Sequence, residues 1–137
     1  MSLSTATLNA EPEHRFIRLR APLNVGSFGI NALVLEPGQR NRIHRHRHQE
    51  EVFLVLEGTL SLWVEGEEHT FEVGELVRVA PHTRRQITNR GPGRLRLLAL
   101  GGMVDHEHVS RDGEAYHSWD QVEPSAIADV PVPDDYA

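Results

Sequence analysis

At 137 residues the chain has room for one hydrophobic core, and two independent cores would be hard to build. It contains no cysteine, which excludes disulfides and thiolate metal sites, and no run near the roughly 18 consecutive apolar residues of a membrane-spanning helix. The formal net charge is −6, with arginines spread along the chain rather than clustered, so neither a nucleic-acid nor a membrane partner is expected.

Residues 1–13 read as a partly flexible N-terminal segment. The start, Met1-Ser2-Leu3-Ser4-Thr5-Ala6-Thr7, has neither the basic nor the apolar stretch of a secretion signal, and a cytoplasmic location is the default expectation. From residue 14 to 104, short runs of β-branched, aromatic and leucine residues recur between glycines and prolines. Phe16–Arg20 alternates, and Ile30–Leu35 is apolar up to the Pro37-Gly38 turn. Val52–Leu56, Leu60–Val64, Leu76–Ala80, Arg84–Thr88 and Leu95–Leu100 continue the series. Breaks fall at Gly58-Thr59, Glu65-Gly66-Glu67, Gly74, Ala80-Pro81 and Gly91-Pro92-Gly93. No helical periodicity competes, and the pattern predicts an all-β domain, a sandwich or a barrel.

Residues 105–137 form an acidic tail with nine acids against one arginine, a net of −8, whereas the first 104 residues carry +2. Pro124, Pro131 and Pro133 interrupt it, and aliphatic residues are few. Tyr116, Trp119 and Tyr136 can anchor parts of it on the barrel, so a packed tail and a disordered tail both fit. A short helical turn around Pro124–Ala128 also fits its composition.

The chemistry concentrates at residues 44–51, His-Arg-His-Arg-His-Gln-Glu-Glu, between the Pro37-Gly38 turn and an apolar strand. Alternate residues of a strand share a face, so His44, His46 and in one reading His48 point together. Two imidazoles at that spacing can reach one cation, and a carboxylate a few residues on can complete a facial set with open positions. An exposed polar loop is the competing reading.

In these residues the chain resembles the cupin superfamily, whose first motif is written G-x5-H-x-H-x3,4-E-x6-G. Gly38, His44, His46, Glu51 and Gly58 meet every element of it over 21 residues. The second motif, G-x5-P-x-G-x2-H-x3-N, matches in part. Gly74 and Asn89 stand in place, but Ala80 occupies the proline position, His82 the glycine position and Arg85 the histidine position. The resemblance implies a double-stranded β-helix (jelly-roll) barrel over residues 14–104, with the tail outside it. It further implies one divalent metal ion (iron, manganese, zinc or nickel) on His44, His46 and Glu51, a small-molecule ligand in the barrel, and a homodimer. Residues 8–20 are the segment that such a dimer would add to the partner's sheet.

Arg85 is the departure. A guanidinium has no lone pair to donate and stays charged, so it repels a cation beside it. Three arrangements follow. His44, His46 and Glu51 hold a metal while Arg85 swings outward or binds an anionic substrate. Alternatively, Arg85 pairs with Glu51 in a metal-free site that takes a small anion. In the third, His48, His82 or Gln86 takes the missing position. By parity, an inward Glu51 carries Phe53 and Val55 inward, and Arg85 shares its face with Ile87 and Asn89. Arg85, Phe53 and Trp63 are the expected substrate-binding residues, with Trp63 either lining the cavity or packing outside it. Two functions are compatible with this: a metal-dependent enzyme, dioxygenase-like or an isomerase, or a non-catalytic module that binds or senses a small anion through Arg85. His106, His108 and His117 in the tail are candidates for a second metal site, against a plain solvated surface.

Overall fold

The computed structural model describes residues 2–8, 15–104 and 111–136. Ten strands and one 3-10 turn follow one another: β1 (Phe16–Arg18), β2 (Gly29–Leu35), β3 (Ile43–His46), β4 (Glu50–Glu57), β5 (Leu60–Val64), β6 (Glu67–Phe71), β7 (Leu76–Val79), β8 (Arg85–Thr88), β9 (Leu95–Gly102), β10 (Gly113–Tyr116) and the turn Ile127–Asp129. They make two five-stranded antiparallel sheets, ordered β1-β2-β9-β4-β7 and β10-β3-β8-β5-β6. This is the expected jelly-roll barrel.

Every run read from apolar alternation is a strand. Of the other three, β3 is the strand expected to carry His44 and His46, whereas β6 and β10 were not read. β6, Glu-Glu-His-Thr-Phe, is an exposed edge strand paired to β5 alone. Its hairpin is closed by Glu65 and Gly66 with φ of 49° and 84°, the left-handed pair that a two-residue turn needs between Val64 and Glu67. β10 lies in the acidic tail. Gly58 of the first motif is required for two reasons. Its φ is 78°, and a β-carbon there would collide with the carbonyl oxygen of Arg94.

Phe53, Val55, Leu60, Leu62, Ile87 and Leu97 meet between the sheets, each at most 1% exposed. At about 1.5–3 kcal/mol per fully buried large apolar side chain, this layer dominates the stability of the barrel. Asn89 is buried above it. Its amide donates to the carbonyls of Leu35 (2.8 Å) and Gly93 (2.9 Å) and its oxygen accepts from Gly91 N–H (2.8 Å), so it closes the end of β8 as a structural residue.

Residues 111–136 extend the second sheet at its β3 edge through β10 and then return over its outer face. β10 pairs with β3 from Gly113 opposite His46 to Tyr116 opposite Ile43. Arginines of the sheet grip the segment: Arg84 Nη1 donates to the carbonyl of Trp119 (2.8 Å), Arg40 Nε to that of Asp134 (2.8 Å) and Arg42 Nε to that of Val130. Arg40 also lies over the Tyr136 ring, 4.6 Å from its centroid. This cover explains why all four residues of β8 are buried. A 3-10 turn in the described part of the tail falls at Ile127–Asp129. Of the segment expected to add to a partner's sheet, Phe16–Arg18 pairs with β2 of its own chain, and residues 9–14 lie outside the described residues.

Candidate functional site

The site is assembled from both sheets. His44 and His46, alternate residues of β3, turn inward from the second sheet, their rings edge to face with centroids 5.5 Å apart. Glu51, on β4 of the first sheet, reaches them from the opposite wall. One ligand atom from each of the three lies within 4.8 Å of the others, so the group can hold a metal ion. His46 Nε2 stands 3.8 Å from Glu51 Oε2.

His44 is fixed in the tautomer that a ligand needs. Its Nδ1–H donates to the carbonyl of Arg42 (2.9 Å), which leaves the lone pair on Nε2. Burial, with the charge of Arg85 next in weight, lowers its pKa from 6.5 to about 3, so the ring is neutral at any physiological pH.

Arg85 lies directly opposite His44 across the β3–β8 pair, on the same face, and is fully buried. Its Nη1 donates to the carbonyl of Thr83 (2.6 Å), its Nη2 reaches Glu51 Oε1 at 3.4 Å, and its Nε has no hydrogen-bond partner among the described residues. It does not swing outward. Burial lowers its pKa, and the Glu51 carboxylate opposes that shift.

The remaining expected residues separate. Phe53 follows Glu51 on the same face and forms part of the core beneath it. Trp63 alternates with the inward Leu62 and Val64, so it stands on the outer face beside Gln86 and away from Glu51; of the two placements weighed, packing outside is the one observed. His48 does not share the face of His44 and His46, because β3 ends at His46 and the chain bends. The His48 ring turns to Asp112, Nδ1 to Oδ1 at 2.8 Å, with its side chain 65% exposed. His82 is an exposed turn residue with φ of 65°, and Gln86 points outward, donating to the carbonyl of Asn41 (2.9 Å). None of these three joins the cluster. His106 and His108 lie outside the described residues, and His117 borders a hollow of about 410 Å³ on the outer side of the second sheet, with Tyr116 and Trp119.

One supporting residue escaped the sequence reading. Asp112, 3% exposed, accepts the backbone N–H groups of His48 (2.7 Å) and Gln49 (2.8 Å) on Oδ2, holding the bend that carries the histidines to Glu51. Burial alone would raise its pKa, but the two backbone N–H groups and the His48 ring outweigh this and lower it. No local signal marks it, since it is one of nine acids in the tail.

Fold and site together define a small single-domain β-barrel with a two-histidine, one-carboxylate cluster in its interior. The family model described as "Cupin domain" matches residues 32–101, and the chain belongs to that family. None of the curated proteins matches the chain in sequence. Among solved structures, a cupin protein from Bacteroides fragilis is similar with a TM-score of 0.69 at 18% identity, covering 90% of this chain and 98% of its own. A cupin-superfamily sugar phosphate isomerase from Silicibacter pomeroyi has a TM-score of 0.62 at 29% identity, covering 77% of this chain and 65% of its own. A Cupin 2 conserved barrel domain protein from Salinispora arenicola has a TM-score of 0.57 at 22% identity, covering 71% and 90%.

Proposed function

We propose that this cupin binds one divalent metal ion on His44, His46 and Glu51 and takes a small anionic organic molecule beside it, held by Arg85. The reading is carried by the three-donor cluster within 4.8 Å, with the Nε2 lone pair of His44 left open by the bond of Nδ1 to Arg42. The donor set suits iron, manganese, zinc or nickel. When bound, such an ion would polarise a substrate oxygen, the chemistry an isomerase needs, or, as iron or manganese, supply the redox chemistry with dioxygen that a dioxygenase needs. The chain's own part is to exclude water with the Phe53 layer and to orient an anionic group on the guanidinium. The relative at 29% identity is described as a sugar phosphate isomerase, and a phosphorylated sugar is an anion of the kind Arg85 suits.

A second reading rests on the contact of Arg85 with Glu51: a metal-free site in which the guanidinium alone holds the anion. Thermal-shift screening with sugar phosphates and small carboxylates, with and without a chelator, separates the two. Stabilisation that vanishes in chelator supports the metal-dependent reading. Stabilisation that persists in chelator and disappears in Arg85→Gln supports the metal-free one.

The outer face of the first sheet supports a homodimer. Val52, Leu54, Leu98 and Leu100 alternate with the inward core residues, and Leu76 beside them is 62% exposed. A contiguous apolar face of this kind suits a second copy of the chain.

A further inference from the structure

The charges in the barrel constrain what can bind there. As ligands both imidazoles are neutral, so the site's own charge is that of Glu51 against Arg85, which sums to zero. A divalent ion raises it to +2 in a buried setting, where uncompensated charge is strongly unfavourable. Among the described residues, the other charged groups whose fields reach these side chains are Asp112 and Arg42. The Asp112 carboxylate is already occupied by the N–H groups of His48 and Gln49, and Arg42, held at the carbonyl of Val130, adds positive charge. Glu51 is divided: Oε2 faces His46 at 3.8 Å while Oε1 faces Arg85 at 3.4 Å. Arg85 in turn is under-used. Of its five donors, one makes a short bond to Thr83, one a long contact to Glu51, and the buried Nε has no partner among the described residues.

We propose that the three-donor cluster and Arg85 form one receptor for a divalent metal and a small dianion together, each tightening the binding of the other, with Arg85 as the group that selects the dianion. This rests on the metal-binding reading above. Two negative charges restore neutrality; a monoanion leaves the buried site at +1. A phosphate monoester or a dicarboxylate has the required charge and can take a bidentate pair of bonds from a guanidinium. Arg85, in the histidine position of the second motif, thus trades metal affinity in the absence of ligand for dependence on that ligand.

The test is titration of the full chain with Mn²⁺, following free Mn²⁺ by electron paramagnetic resonance at constant ionic strength, in acetate and in sulfate. The expected result is Mn²⁺ binding at least about tenfold tighter in sulfate, with sulfate binding tightened by the same factor when Mn²⁺ is present, as linkage requires. Arg85→Gln should bind Mn²⁺ more tightly than the wild type in acetate and show less than about twofold coupling. Should that variant fail to fold by circular dichroism, Arg85→Lys keeps the charge without the fork; it should bind Mn²⁺ weakly in acetate and lose most of the gain in sulfate. Equal Mn²⁺ affinity of the wild type in the two anions, with binding lost in His46→Ala, overturns the coupling and leaves the metal site standing. No Mn²⁺ binding by the wild type or Arg85→Gln in either anion overturns the metal reading and the coupling with it.

Discussion

The guanidinium of Arg85 and the carboxylate of Glu51 face each other at 3.4 Å across the barrel, joining the two sheets. Arg85 is completely buried, so its charge depends on Glu51 for compensation.

Glu51→Gln should therefore lower stability by on the order of 3 kcal/mol in urea unfolding, because it leaves a buried cation unpaired. Combining it with Arg85→Met should recover much of that loss. A double variant as unstable as the sum of the two single variants would show that the pair is not coupled.

Asp112 carries a pH dependence. Its folded pKa is lowered, so its contribution is fully present above the unfolded value of about 3.9 and is lost as the pH falls through the lower folded value. Asp112→Asn should cost about 1–3 kcal/mol at neutral pH, from two weakened backbone acceptors. The gap to the wild type should close on acidification below about pH 4. A gap constant down to pH 2 would contradict this assignment.

How much of this was legible in the sequence depends on the kind of signal. The barrel was legible because short runs of β-branched, aromatic and leucine residues recur at β2, β4, β5 and β9, and because Gly58 and Gly74 punctuate them. The metal-ligand candidates were legible because His44 and His46 alternate on one strand and because the resemblance to the first cupin motif, all within eight residues, implies Glu51 as their partner. Asp112 was not, because its bonds to His48 and Gln49 span more than sixty residues. Trp63 could not be assigned by residue type, since only the register of β5 decides which face it takes. The direction of Arg85 was likewise settled by pairing with His44, a contact between strands 41 residues apart.

The apolar outer face of the first sheet yields a prediction on assembly. Leu98→Glu places a carboxylate at its centre, opposite Ala32 and Leu54. Light scattering should then report a dimer for the wild type and a monomer for the variant, with the folded state retained. A monomeric wild type would contradict the use of this face.

The central claim is that three protein donors suffice to bind a metal despite the arginine beside them. Metal content by mass spectrometry, on protein purified without an affinity-metal step and compared with His46→Ala, tests it most directly. The prediction is near-stoichiometric divalent metal in the wild type once reconstituted in the presence of sulfate, lost in the variant. Metal absent from the wild type even after reconstitution in the presence of sulfate would contradict it and leave Arg85 as the sole cation of the site.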